Sequence, residues 1–173
     1  MKNQAYLSLG SNVDKERNLP RAVELLAAAG RLLAVSRVYE TAPVGRGDQP
    51  NFFNAAVLLE TDLELEAFKN RVISRIEDEL GRVRDPQDKN APRTIDIDIS
   101  LWNDEVREVG GMTIPDPQIL RFAHIAVPLA DIAPDHLHPL SGETLATMAG
   151  RLAATDQVVI LRPDIKLKAA IGG

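Results

Sequence analysis

The chain contains no cysteine, which excludes disulfide staples, thiol nucleophiles and thiolate metal sites. It has no apolar run near the roughly 18 residues that a membrane span needs. Its first residues, "MKNQAYLSLGSN", place one lysine before an alternating segment with neither a long apolar core nor a small-residue cleavage site. No secretory signal is expected from that pattern, and the cytoplasm is the expected location. Cations are outnumbered, with 20 Lys and Arg against 25 Asp and Glu and a formal net charge of -5. That balance argues against a general binder of nucleic acid or of membrane surfaces, both of which need a cationic footprint. An anionic substrate would require a local cluster of arginines or a bound metal. Walker A, GxGxxG, GxSxG and HExxH signatures are also missing.

What is present suits an ordinary globular protein. Hydrophobic residues make up 45% and charged residues 26% of 173 positions, enough for one compact domain over 1–173 with 160–173 as a peripheral tail. "AYLSLGSN" reads as a strand entering a turn. Residues 18–29 carry Leu19, Ala22, Val23, Leu26 and Ala27 on one helical stripe, with Asn18 as the cap and Gly30 as the stop. "LLAVSRVYET" and "NFFNAAVLLET" read as adjacent strands on either side of the Pro- and Gly-containing loop "APVGRGDQP". Residues 63–80 give a second helix through Leu65, Phe68, Val72, Ile76 and Leu80, closed by Gly81. In "APRTIDIDISLW" (91–102), Ile95, Ile97, Ile99 and Leu101 take one face of a strand, and Asp96 and Asp98 take the other with Thr94 and Ser100. Strand, helix, strand, strand, helix, strand is the split βαβ order, which predicts an α+β, ferredoxin-like core with an antiparallel-dominated sheet backed by helices. After residue 103, prolines at 115, 117, 128 and 134 allow only short helices and loops. "DQVVILRPDIKLKAAIGG" can add an edge strand.

Asp96 and Asp98 lie two residues apart, so both side chains leave the same face, about 6–7 Å from Cα to Cα. Such a pair is either a solvated polar face or a holder for one or two Mg²⁺ ions that bridge nucleotide phosphates. Arg82, Arg84 and Arg93 precede it in an otherwise acidic chain, either as salt-bridge partners or as a phosphate cradle. Glu77, on the preceding helix, could approach the same place or sit on the surface. Phe52, Phe53 and Asn54 face a loop with Thr41 and Pro43, and one of the two aromatics with the amide could stack on and hydrogen-bond a flat heterocycle while the other points into the core. Core packing is the competing reading for Phe52 and Phe53. His136 and His138 have metal spacing without a third ligand nearby in sequence, so both read as loop histidines.

With "GSN" (10–12), "YETAPVG" (39–45), "QPNFFNAAV" (49–57), "GRVR" (81–84) and "VPLADIAP" (127–134) in the same order, this Pro-Arg-Thr-x-Asp-x-Asp chain resembles the 6-hydroxymethyl-7,8-dihydropterin pyrophosphokinase family of folate biosynthesis. The likeness spans residues 5 to about 145. It implies a ferredoxin-like fold and transfer of the β,γ-pyrophosphoryl group of ATP to the hydroxymethyl oxygen of a reduced pterin, with release of AMP. It also implies that Asp96 and Asp98 bind two Mg²⁺ ions, that Arg82 and Arg93 act on the phosphates, and that Glu77, Arg84, Arg93, Ile99 and Thr113 line the ATP site. Thr41, Pro43, Phe52, Asn54, Asp96 and His124 would form the pterin pocket. The partners expected are ATP and the pterin, for a monomer that binds no nucleic acid and no membrane.

The chain also departs from the family pattern. Ala91 stands where Gly is usual, and Asn90 where Trp is common. In "PDPQILRFAHIAVPL", Asp116 replaces a His, Phe122 an Arg and His124 a stacked Phe. Exchanging a His for Asp and losing an Arg beside a triphosphate predicts weaker ATP binding, about 1.5–3 kcal/mol for each charged contact. A one-residue slip would bring in Arg121 instead. The alternative function is a divergent paralogue that binds a pterin without efficient transfer. A generic interaction domain would leave the arginines and acids without a purpose.

Overall fold

A computed structural model describes residues 2–45 and 47–167. Met1, Arg46 of the expected loop "APVGRGDQP", and 168–173, the end of the expected peripheral tail, lie outside the described residues. Strand β1 (Asn3–Ser11) leads into helix α1 (Lys15–Ala29), and then come β2 (Arg31–Val35), β3 (Tyr39–Thr41) and β4 (Phe52–Thr61). Helix α2 (Leu65–Phe68) runs through a π-helical turn (Lys69–Ile73) into α3 (Ser74–Glu79), and β5 (Asp96–Trp102) follows. A hairpin of β6 (Arg107–Val109) and β7 (Met112–Ile114), a 3₁₀ turn (Pro117–Leu120), α4 (Ala123–Ile132), α5 (Leu145–Ala153) and β8 (Ile160–Leu161) complete it.

The sheet order is β5–β1–β4–β3–β8, with β2 also paired to β4, and every pairing is antiparallel. This is the split βαβ arrangement, the α+β ferredoxin-like fold expected from the element order. One expected strand proves to be two. At Ser36 the chain breaks between β2 and β3, and the Ser36 hydroxyl accepts the Ala56 N–H (2.7 Å) while the Ser36 N–H donates to the Ala56 carbonyl (2.9 Å). A side-chain oxygen thereby replaces a missing ladder carbonyl in the buried sheet. Gly30 stops α1 as expected, for a steric reason: a Cβ there would lie 2.8 Å from the Glu60 carbonyl oxygen. Gly81 closes α3 at φ +77°, in the left-handed region that glycine enters without strain. The cap of α1 is different from the expected one. The helix begins at Lys15, and Asn18 lies inside it, its amide reaching back to the Val13 carbonyl at 2.7 Å.

Both faces of the sheet are covered. Ala5, Leu7, Leu9, Val57 and Ile97 pack against α1 and the α2–α3 helix, whereas Tyr6, Ala56 and Leu101 pack against α4 and α5. Leu101 sits opposite its expected side. A bulge between Leu7–Ile99 and Tyr6–Leu101 reverses the alternation, so Trp102 joins the α1 face and Leu101 the α4 face. The hairpin β6–β7, which turns at Gly110–Gly111, lies ahead of the prolines in a stretch where only short helices and loops are expected from the sequence. The expected edge strand is β8, which lengthens the sheet beyond β3. Among the described residues, no helix is long and apolar enough to cross a membrane.

Replacing Ser36 by Ala leaves the Ala56 N–H without its acceptor in a buried strand. Unfolding in urea should show a loss of about 1–3 kcal/mol with an unchanged m-value; a loss below about 0.5 kcal/mol would mean that water or a shifted backbone takes over the bond.

Candidate active site

Asp96 and Asp98 leave β5 on the α4 face, where β1 offers only Gly10 and Ser8 opposite them. Small residues in that register leave room above the acids. A cleft with an empty volume of about 670 Å³, open mouth included, fills this space, walled by Thr41, Phe52, Asn54, Arg93 and His124 with Asp96 and Asp98 at one end. A second cleft of about 630 Å³ lies on the other side of Asp98, between Lys69, Ile99, Thr113 and Asp116. Asp98 borders both. The hairpin and the 3₁₀ turn position this second cleft, whose lining includes Met112, Thr113, Asp116 and Pro117.

The charges around the acids are ordered. Glu77 is buried, and its two oxygens accept from Arg84 Nη2 (2.9 Å), Arg82 Nη1 (2.8 Å) and the Ile97 N–H (3.0 Å). Arg82 Nη1 also donates to Asp96 Oδ1 at 2.6 Å and the Ile95 carbonyl at 3.3 Å. Its Nε is buried without a hydrogen-bond partner among the described residues. Arg93 stands 3.7 Å from Asp96 Oδ2. Among the described residues Asp98 has no such paired cation, and burial, then Asp96 and Asp116, push its carboxyl up to about 8 against the weaker pull of Lys69. Two neighbouring carboxylates in a low-dielectric site cannot both ionise freely. Burial likewise raises the Asp116 carboxyl, which also accepts the Gln118 N–H at 2.9 Å and caps the 3₁₀ turn.

The flat end of the first cleft is built by alternation along β4. Phe52 and Asn54 face the cleft, and Phe53 between them enters the core on the reverse side. Asn54 Nδ2 donates to Thr41 Oγ1 (2.8 Å) and the Tyr39 carbonyl (3.2 Å). That turns Oδ1 toward Gly10, where a Cβ would lie 3.6 Å from both Asn54 Oδ1 and Phe52 Cδ1. An amide acceptor and an aromatic edge therefore converge on space that a side chain at position 10 would fill. Arg93 lies over the Phe52 ring at 5.6 Å. His124 enters from the start of α4, its ring 5.3 Å from that of Phe122. Burial, then the Arg93 charge, hold its imidazole down at about 4, so it is neutral near pH 7.

The first cleft gathers Thr41, Phe52, Asn54, Arg93, Asp96, Asp98 and His124, and the second gathers Ile99 and Thr113. The other positions fall differently, and Arg82, held between Glu77 and Asp96, lines neither cleft. Pro43 lies between Ala42 and Val44, which line the first cleft in its place. Arg84 is largely exposed and Glu77 is buried beneath the acids. Arg121 and Phe122 border a third groove beyond His124.

Sequence reasoning missed the residues that tie the loops together. Asn12 Oδ1 accepts the Arg93 N–H at 2.8 Å, and its Nδ2 donates to Gln49 and to the Pro50 carbonyl (3.1 Å). Gln49 Nε2 reaches the Asn90 carbonyl at 2.6 Å. The "GSN" triplet reads in sequence as a turn and as one of the segments shared with the family, and neither reading shows that Asn12 ties the loops together. Among the described residues no group of three or more His, Asp or Glu side chains forms a metal cage, so a cation at Asp96 and Asp98 would complete its shell with ligand and water oxygens. Hard, acidic oxygens with shared surplus charge suit Mg²⁺ used in that way.

Comparison with known proteins agrees with this geometry. Residues 6–134 match the family described as 7,8-dihydro-6-hydroxymethylpterin-pyrophosphokinase (HPPK). The chain is 42% identical over 136 residues to the 2-amino-4-hydroxy-6-hydroxymethyldihydropteridine pyrophosphokinase of Bacillus subtilis (strain 168), covering 76% of this chain and 79% of that protein. It is 40% identical over 152 residues to the protein of that name from Methylorubrum extorquens, covering 86% of this chain and 93% of that one. Plasmodium falciparum HPPK-DHPS solved with pteroate superposes with a TM-score of 0.67 at 16% identity over 87% of this chain. The chain spans 42% of that longer polypeptide, and the likeness speaks for the fold. With that fold, the paired acids between two clefts and the match over residues 6–134, the chain belongs to the 7,8-dihydro-6-hydroxymethylpterin-pyrophosphokinase family.

Proposed function

We infer that this protein transfers a pyrophosphoryl group from ATP to 6-hydroxymethyl-7,8-dihydropterin, giving AMP and the pterin diphosphate, in folate biosynthesis. One observation carries the reading: Asp98, with Asp96 beside it in the first cleft, borders both that cleft, walled by Phe52, Asn54 and His124, and a second one lined by Ile99 and Thr113. In the first, the pterin lies against Phe52 and His124, with Asn54 Oδ1 accepting from its amino-pyrimidinone edge. In the second, the adenosine end of ATP lies along Ile99 and Thr113, and its phosphates extend toward Asp98. Mg²⁺, two ions in this reading, bound between Asp96, Asp98 and the phosphates would withdraw charge from the reacting phosphorus and align the chain.

This chain's own residues supply the remainder. The hydroxymethyl oxygen attacks the β-phosphorus, its O–P bond forming as the bond to the α,β-bridging oxygen breaks. AMP leaves with that oxygen, and the hydroxyl proton passes to solvent. Charge grows on the phosphate oxygens through this change, so cations held in advance stabilise it more than a proton acceptor would. Arg82, hydrogen-bonded to Asp96 at 2.6 Å, and Arg93, over the edge of the ring pocket, are those cations. Glu77 fixes Arg82 and Arg84 from below. The contacts Asn12–Gln49–Asn90 hold the two loops over the cleft and restrict water, which would otherwise take the pyrophosphate. With Asp116 and Phe122 in place of a His and an Arg, phosphate binding rests on Arg82, Arg84, Arg93 and the metals, which favours a higher KM for ATP over a lost reaction. The acidic net charge supports a protein without nucleic-acid or membrane partners. A single sheet running from Asn3 to Leu161 supports one domain, acting in the cytoplasm as a monomer.

Incubation with ATP, Mg²⁺ and 6-hydroxymethyl-7,8-dihydropterin should release AMP in proportion to enzyme, and Asp96→Asn or Asp98→Asn should each reduce turnover by at least about a thousand-fold with circular dichroism unchanged. Turnover that survives both substitutions would remove the metal assignment, and absence of AMP with the unmodified protein would remove the reaction. The neutral His124 gives a second test. Its folded-state proton affinity lies below that of the unfolded chain, so the stability it confers is present above the ordinary value of 6.5 and is lost as pH falls toward about 4. His124→Phe should retain pterin binding and lose less stability than the parent between pH 7 and 4, by on the order of 2 kcal/mol; parallel pH–stability curves would contradict the buried, neutral imidazole.

A further inference from the structure

The residues that match the family end at 134, yet the chain beyond them returns to the sheet directly behind the ring pocket. β8 pairs with β3, Tyr39 opposite Leu161 and Glu40 opposite Ile160. The next residue, Arg162, donates its N–H to the Val38 carbonyl at 2.8 Å. Its guanidinium hydrogen-bonds Glu40, and Asp164 holds it from the other side at 3.0 and 2.8 Å. Glu40 also accepts from Asn51 Nδ2 at 2.9 Å, and Lys15 Nζ donates to the Asn51 carbonyl at 3.0 Å. Glu40 lies in β3 and Asn51 immediately before β4, so one chain of contacts joins both ends of the loop that carries Ala42 and Val44. Phe53, cross-strand partner of Glu40, is gripped by two cations, with Arg162 5.2 Å and Lys15 4.9 Å from its ring centroid. Because side chains alternate along β4, whatever fixes Phe53 on the reverse face also fixes Phe52 and Asn54 on the cleft face. Ile165 and Leu167 pack against the α1-side core and hold the segment in place.

We propose that Arg162 is a positioning residue for the pterin pocket, setting Phe52 and Asn54 from behind through Phe53, Glu40 and Asn51. This inference rests on the reading of the first cleft as the pterin pocket. Arg162 lines neither cleft, and the phosphate-side groups, Arg82, Arg84, Asp96 and Asp98, belong to other elements. Its removal therefore acts on one substrate and spares the other.

Arg162→Ala and Arg162→Lys separate this from a general loss of structure. In the full chain, Arg162→Ala should raise both the KM for the pterin and the Kd from pterin fluorescence titration about ten-fold, with the KM for ATP within about two-fold of the parent. Hydrogen exchange should quicken at amides of residues 40–42 and 51–54 and stay unchanged in β1 and β5. Arg162→Lys, which retains a cation between Glu40 and Phe53, should recover most of the pterin affinity. Unchanged pterin affinity in Arg162→Ala, a parallel rise for both substrates, or unaltered exchange near Phe53 would each overturn the proposal. If the unmodified protein releases no AMP, the reading of the reaction fails; pterin titration and exchange still judge Arg162 on their own terms.

Discussion

The buried carboxylate of Glu77 is the contact on which the site depends. It joins α3 to β5 through the Ile97 N–H and at the same time gathers two guanidinium groups from the chain that follows the helix. A carboxylate so deep is tolerable because both oxygens are fully engaged by charged or backbone donors. Breaking such a buried pair from one side generally costs about 3–5 kcal/mol, because the abandoned charge remains inside. Folding therefore sets Arg82 against Asp96 before any nucleotide arrives. That pairing also explains why the two acids differ: Asp96 has its cations, whereas Asp98 faces Asp116 and the interior and holds its proton to about 8.

From this asymmetry comes an arrangement that is incomplete without a ligand. The acids are short of positive charge on the Asp98 side, Arg82 retains a buried N–H with no acceptor among the described residues, and Asn54 presents an oxygen to open space. In the proposed reading, the shortage of charge beside Asp98 and the Asn54 oxygen answer to a metal and to the amino-pyrimidinone edge of the pterin. Local rigidity is supplied from outside the cleft. Asn12 ties Arg93 to the loop before β4, and the C-terminal residues support β4 from its reverse face.

How much of this was legible in the sequence depended on the range of the interactions. The period-two run Ile95, Ile97, Ile99 and the stops at Gly30 and Gly81 are local, and they gave the strand and helix order directly. Asp96 and Asp98 were found because side chains on a strand must alternate, whereas alternation left open which of Phe52 and Phe53 faces the cleft, and the family likeness pointed to Phe52. Burial of Glu77 was not legible, since its three donors come from Arg82, Arg84 and Ile97, brought together by folding, and a helical Glu reads as solvated. The Ser36 break was hidden because a serine within a β-branched segment does not announce that its hydroxyl has replaced a carbonyl. Arg121, next in line to replace a lost arginine, turns to a neighbouring groove, a direction fixed by the 3₁₀ turn and by α4 rather than by spacing.

The bulge near Ser100 leaves β5 with opposite tolerances on its two sides. Upstream of it, Asp96 and Asp98 owe their orientation to an uninterrupted register with Gly10 and Ser8. Loss or gain of one codon there would rotate both carboxylates into the hydrophobic layer and expel isoleucines into the cleft. Downstream, the extra residue has already been absorbed, and the chain can turn away into hairpins of differing length. Length variation among relatives should accordingly collect after Trp102 and in the loops, while the segment from Ile95 to Ile99 keeps a fixed count.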